Sequence, residues 1–262
     1  MEEVLLQQLE KITCLSHNLR TPLNALSSAL QVLQMYESGR EIPIRQKYYK
    51  IADRNIKRMD RMINHFMDYF QMAKGETPFC PRVVDGVALT QALCRCAQEC
   101  FGEELVDMNF TAEGKFPAWV DEALVEQAFW NLISNAVNAT KERPCRLEIK
   151  IRCCEELFEL SVRDFGKGIA EEDQKRIFDP LVQLDSFQSG IGLGLSIIME
   201  IMKLHQGDVV LISAPGEGST FILRFPFKKA VGTVQKNSSL SQYEVDTERL
   251  SRARIELADF LA

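Results

Sequence analysis

Leucine and isoleucine recur along the start of the chain in strict alternation. Leu5, Leu9, Ile12, Ser16, Leu19, Leu23, Leu26, Leu30 and Leu33 are separated by 4, 3, 4, 3, 4, 3, 4 and 3 residues, the seam of a coiled coil or helical bundle. The spacing predicts one helix from residue 1 to about residue 38. Ser38, Gly39 and Pro43 then interrupt the pattern. A second helix is predicted from about Ile44 to Ala73, with Ile56, Met59, Ile63, Phe66, Phe70 and Ala73 as its seam and Ile44, Tyr48 and Ala52 before it at wider spacing. Two helices cannot bury two apolar stripes against each other. A second copy completes them as a four-helix bundle, so residues 1–75 are expected to form a dimerising hairpin.

Lys74 to Pro81 reads as a linker, and beyond it the texture changes. The segments 147–153, 158–164, 208–214 and 220–226 alternate or run apolar like strands. Helices are predicted over 86–101, 121–140, 171–178 and 192–205. These elements make a second domain over residues 80–228, ending near Phe227. Residues 229–262 are expected as a tail: polar and flexible over 229–240, then an amphipathic helix over 244–261 leading to a further domain. No internal repeat or low-complexity tract is present.

Composition narrows the class. With 262 residues the chain suits two ordinary domains, and 46% apolar with 26% charged residues is the balance of a globular protein. Lys plus Arg (31) against Asp plus Glu (37) leaves a net charge of −6, which gives no overall basic field for nucleic acid. No apolar run approaches the ~18 residues of a membrane span, and no signal-peptide pattern opens the chain. A cytoplasmic location is expected, with any membrane contact made by a longer parent. Eight cysteines include the adjacent Cys153 and Cys154. CRCAQEC (94–100) puts Cys96 and Cys100 on one helical face, but no nearby histidine or CxxC pair supplies further ligands for a thiolate metal site. The cysteines read as reduced structural thiols.

Four segments carry chemistry. In SHNLRTPLNAL, His17 stands one position past the seam, and Pro22 removes a helical hydrogen bond near it. In VEQAFWNLISNAVNAT, Asn131, Asn135 and Asn138 follow at spacings of 4 and 3, so their amides share a helical face. Asparagine is a poor helix-interior residue, and an amide oxygen suits Mg²⁺, which keeps several waters and takes phosphates besides. In RDFGKGIA, Asp164 stands at a strand end before a turn opened by Gly166 and Gly168, where a carboxylate can accept from an exocyclic amine. In SGIGLGLSIIMEIM, Gly190, Gly192 and Gly194 precede an apolar helix and let backbone amides approach phosphate oxygens. Neither the dinucleotide fingerprint nor the Walker A spacing is present.

The ordered set SHNLRTPL, NLISNAVNAT, DFGKGIA, IFDP, GIGLGLSI and GEGSTF resembles the H, N, G1, F, G2 and G3 boxes of two-component sensor histidine kinases, over roughly residues 10–226. The resemblance implies a fold of α plus α/β class: a dimeric helical hairpin, then a two-layer α/β sandwich of the gyrase type that binds ATP with Mg²⁺. It makes His17 the phosphoacceptor, Asn135 the Mg²⁺ ligand, Asn131 a nucleotide-contacting neighbour and Asp164 the adenine reader. Gly166, Gly168, Gly190, Gly192 and Gly194 then shape the pocket and its lid, with Phe178 in the F box. Thr21 matches the position where the family places water for dephosphorylating its partner, the receiver domain of a response regulator. Between Arg40 and Arg61 eight basic and three acidic residues form a local +5, a stripe suited to that acidic partner.

Several residues depart from the family pattern. Asn18 replaces the usual acid after the phosphoacceptor, and Asn138 stands where Lys or Arg is common. A cationic phosphate contact would then have to come from Lys141 or Arg143. Leu181 replaces the second Phe of the F box, and eleven residues separate Phe178 from Gly190, a short lid. Three readings follow: a kinase that phosphorylates His17 and passes the group to a regulator aspartate, a degenerate kinase acting as a nucleotide-gated binding module, or a gyrase-like ATPase without a phosphohistidine, which the heptad hairpin and the His17 context disfavour.

Overall fold

The computed structural model describes residues 2–35, 42–112, 117–154, 157–184, 191–226, 247–258 and 260. The two seams form long helices, α1 (Glu2–Met35), with Pro22 inside it, and α2 (Ile42–Ala73), packed on each other. Ala29 and Leu33 of α1 and Ala52, Met62 and Met72 of α2 are buried. The connection expected around GREIP lies almost wholly outside the described residues.

The second domain begins with β1 (Arg82–Asp85), then α3 (Gly86–Phe101), β2 (Val106–Ala112), β3 (Pro117–Val120) and α4 (Glu122–Ala139). β4 (Cys145–Cys154) and β5 (Leu157–Asp164) follow, then α5 (Gly194–Leu204), β6 (Asp208–Ala214) and β7 (Gly218–Pro226). Among the described residues one sheet has the order β2-β4-β5-β7-β6, and a small second sheet pairs β1 with β3. β2 runs parallel to β4, and the remaining pairs are antiparallel. Asp85 and Asp121 cap α3 and α4, each accepting from two backbone amides of the first turn. Leu147, Ile149 and Ile151 of β4, Leu160 of β5 and Phe225 of β7 meet Leu89, Leu93, Phe129, Trp130, Leu132 and Ile133 in one core. The layers are therefore helices on one sheet, as the fold class predicts.

Three features differ from expectation. The helix predicted over 171–178 is turns closed by a 3₁₀ segment, Arg176–Phe178, because the Gln174 amide bonds the carbonyls of Ile169 and Ser213 and pins the chain in an irregular course. The first domain-two strands, β1 to β3, were not predicted, although Val106 and Met108 alternate with Asp107 and Asn109 as a half-buried strand should. Residues 227–246 lie outside the described residues, and the helix expected over 244–261 is α6 (Thr247–Glu256), which packs on α2, α3 and α4 with Ala253 and Leu257 fully buried.

Candidate functional site

Alternation along β5 sends Phe158, Leu160 and Val162 into the core, and the same register carries Asp164 there at 3% exposure. Its Oδ1 accepts from the amides of Gly166 (2.9 Å) and of Ser219 (3.2 Å), its pairing partner on β7. Burial pushes the Asp164 carboxyl above the usual aspartate range, and these backbone donors only partly offset it. The turn after it folds back tightly. Gly168 has φ +66°, and a Cβ there would fall on the carbonyl oxygen of Ala214. Ile169 N donates to Ser213 Oγ and Gly216 N to the Lys167 carbonyl, locking the turn to the β6–β7 corner.

The asparagines on α4 meet the start of α5. Asn131 donates through Nδ2 to the Gln127 carbonyl (3.0 Å), while a Cβ on Gly194 would lie 2.8 Å from Asn131 Oδ1. Glycine is required at 194 because α5 enters directly over these amides. Leu181 N bonds the Gly192 carbonyl at 2.8 Å, and both residues hold positive φ, 69° and 71°. For leucine that backbone is costly, about 1–3 kcal/mol, so the short F-box segment is held under strain.

These parts surround one cleft. Asn131, Ser134, Asn135 and Asn138 form its amide face, Asp164 and Ser219 its floor, Lys167, Gly168, Gly192 and Gly194 its rim, and Ile169, Ile177, Val182, Ile191, Leu193 and Phe221 its apolar wall. An apolar slot ending in a buried carboxylate suits a flat base bearing an exocyclic amine. The buried Nδ2 of Asn135 has no hydrogen-bond partner, and a buried amide left unmatched by protein is a candidate to be met by a ligand. Among the described residues no group of three or more His, Cys, Asp or Glu forms a metal cage. A magnesium ion carried by phosphates needs none, and the single amide of Asn135 fits that donor set.

The fourth wall comes from α2. Arg61, Met62 and His65 line the cleft; nothing in the sequence pattern marked Met62 or His65, and Arg61, expected in the basic stripe, is buried here instead. α6 braces them: Arg61 Nη1 donates to the Glu256 carbonyl, and His65 Nε2 lies 2.8 Å from Glu256 Oε2. Burial would raise the Glu256 carboxyl, but His65 and Arg61 outweigh it and hold it below the usual range. Farther along α6, Arg249 meets the buried Glu126 of α4 at 3.2 Å, and Trp130 Nε1 donates to the same carboxylate.

The predicted residues thus separate into groups. Asn131, Asn135, Asn138, Asp164, Gly168, Gly192 and Gly194 converge on the cleft. Gly166 and Phe178 stand behind it, Gly166 against the Ala139 carbonyl and Phe178 edge-on to Phe221 with centroids 6.4 Å apart. Gly190 lies outside the described residues. His17, Asn18 and Thr21 are on α1, no described side chain of which lines the cleft, and the His17 side chain is outside the described set. Arg143 does not supply the cationic contact: its guanidinium bonds the carbonyls of Val137 and Thr140, closing the end of α4. Lys141 is also absent from the lining, and Lys167 and Arg61 are the cations present.

Residues 8–75 match the family described as the His Kinase A (phospho-acceptor) domain, and residues 120–229 match the histidine kinase-, DNA gyrase B- and HSP90-like ATPases. The chain belongs to the two-component sensor histidine kinases. Sensor histidine kinase TmoS of Ectopseudomonas mendocina is 28% identical over 236 residues, 87% of this chain and 24% of TmoS. Adaptive-response sensory kinase SasA of Rippkaea orientalis is 30% identical over 227 residues, 82% of this chain and 57% of SasA. The chain therefore spans from about a quarter to just over half of these kinase relatives. The histidine kinase AdeS of Acinetobacter baumannii shares the fold, with TM-score 0.62 at 20% identity over 81% of this chain and 98% of AdeS. So does histidine kinase ThkA, solved in complex with response regulator protein TrrA, with TM-score 0.67 at 19% identity over 87% of this chain and 64% of that one. Among the described residues no helix is long and apolar enough to cross a membrane.

Proposed function

We propose that this chain is the kinase core of a sensor histidine kinase, which binds Mg-ATP, phosphorylates His17 and passes the phosphoryl group to a response-regulator aspartate. The reading is carried by the convergence of Asp164, Asn135 and three glycines on one cleft. Asp164 accepts from the base amine, and Gly168, Gly192 and Gly194 let the chain pack closely on Ala214, Val182 and Asn131, which shapes the cleft around the nucleotide. Asn135 is the residue that would hold Mg²⁺, which when bound neutralises charge on the β- and γ-phosphates. His17, as neutral imidazole, attacks Pγ through Nε2; the N–P bond forms as the bond to the ADP oxygen breaks. Asn18 orients the ring through its amide oxygen, and Thr21 positions water when the regulator is dephosphorylated.

The acting species is a homodimer through α1 and α2. Leu23 and Leu30 on α1 and Ile56 and Ile63 on α2 are each 45–48% exposed and recur every seven residues. Two heptad stripes left open on a single hairpin call for a second copy. The basic stripe between Arg40 and Arg61 steers the receiver domain to the hairpin. On this reading the kinase core works in the cytoplasm.

Asn18, standing in place of the usual acid, favours the second reading, a nucleotide-gated binding module. Incubation with γ-labelled ATP decides between them. Acid-labile, alkali-stable label lost in His17→Ala supports the kinase; ATP bound with no label supports the module.

A further inference from the structure

A second cleft, sharing no residue with the nucleotide site, lies where α2, α3 and α6 meet. α2 lines it with Lys50, Asp53, Arg54 and Lys57, and α6 adds Arg254. Four cations face one carboxylate there, in a chain of net charge −6. Asp53 is already engaged by Lys57 at 2.6 Å, so the remaining field is positive. Cys100, in the last turn of α3, lines the same cleft and is half-buried. Cys96, one turn earlier, is fully buried. The Cys96 thiol donates to the Cys100 sulfur and holds the Cys100 thiol below its usual value against the effect of burial. Arg254 adds to this and Glu99 opposes it. A partly exposed sulfur in an electropositive setting is the arrangement that makes a cysteine nucleophilic.

We propose that Cys100 is a modification site for anionic low-molecular-mass disulfides, whose carboxylates are received by Lys50, Arg54 and Arg254. The Cys100 thiolate attacks one sulfur of R–S–S–R. The protein–S–S–R bond forms as the original S–S bond breaks, and R–S⁻ leaves with the electron pair. The protein sulfur is oxidised and the departing sulfur reduced, so no further oxidant or proton is needed. A thiol reductant reverses the step by the same exchange. The adduct occupies the junction of α2, α3 and α6, beside the contact of α2 with α6. Cys80 and Cys153 are more exposed but lie outside this cleft, which makes them internal controls.

The test compares two disulfides on the full chain at neutral pH and low salt, with rates read at each cysteine by peptide mass spectrometry. One is the dianionic dithiobis(nitrobenzoate), the other the uncharged dithiodipyridine. Cys100 is expected to react with the dianion ahead of Cys80 and Cys153, by on the order of tenfold, the lower range of electrostatic steering. That lead should shrink with added salt and in the double variant Lys50→Gln, Arg54→Gln, which leaves the sulfur and α3 untouched. The uncharged reagent should show no such lead. Labelling of Cys80 and Cys153 ahead of Cys100 by the dianion would overturn the proposal. So would an unchanged Cys100 rate in the double variant, with its folding verified by circular dichroism.

Discussion

Replacing Asp164 by asparagine separates recognition from stability. In the protein Oδ1 is held by the amides of Gly166 and Ser219, which leaves Oδ2 as the acceptor for a base amine. An asparagine must keep its oxygen towards those two donors, so its NH₂ takes the place of Oδ2 and meets the amine donor to donor. A hydrogen bond to a charged group is worth about 1.5–3 kcal/mol. At 1.4 kcal/mol per factor of ten, ATP affinity should fall about 10- to 150-fold. Stability should hold, because burial raises the Asp164 carboxyl and folding therefore disfavours its ionised form. The sign is clear: a raised native pKa stabilises the fold at low pH and ceases to do so as pH rises through it. The neutral amide of the variant carries no such cost at neutral pH. Calorimetric titration with a non-hydrolysable ATP analogue, paired with urea unfolding, reads both quantities. In the unsubstituted protein affinity should also decline on acidification, starting above the ordinary aspartate range. Unchanged affinity in Asp164→Asn, or a loss matched by unfolding, would refute the assignment.

Asn135→Ala should weaken nucleotide binding in the presence of Mg²⁺ far more than in its absence, measured by titration with and without chelator. Asn18→Glu should raise phosphate on His17 without changing ATP affinity, by less than the ~10²–10⁴-fold ceiling of general acid–base effects, because an amide already orients the ring; the check is a time course with labelled ATP. Arg249→Met leaves Glu126 buried without its guanidinium partner at 3.2 Å and should cost up to about 3–5 kcal/mol in urea unfolding, with most of it recovered in Arg249→Met, Glu126→Gln.

Residues that act through local periodicity were legible from the sequence alone. The 4,3 seam of α1, the alternation that buries Asp164, and the amide stripe on α4 are each written within a dozen neighbouring positions. What escaped is written over long separations. α2 has a second buried face, Asn55, Arg61, Met62, His65 and Met72, and three of those five are polar, so no apolar stripe announced it. Their burial depends on α6, about 190 residues away, where Glu256 satisfies Arg61 and His65. β1 and β3 are only four residues each, too short for alternation to stand out. Gln174 shows the opposite failure. Its segment has helical composition, but one amide bridging two distant carbonyls overrides local preference.

The two faces of α2 have a thermodynamic consequence. Ile56 and Ile63 are exposed and would meet a second hairpin in the proposed dimer, while Arg61 and His65 line the nucleotide cleft from the other side of the same helix. A rigid helix cannot turn one face without moving the other. In that dimer a rotation of α2 that repacked the seam would change the cleft wall and disturb the His65–Glu256 contact. Free energy placed on the seam would in this way be expressed as a change in nucleotide affinity. By reciprocity nucleotide binding places the same free energy back on the seam. Such coupling would act on binding without any change in the pocket residues themselves.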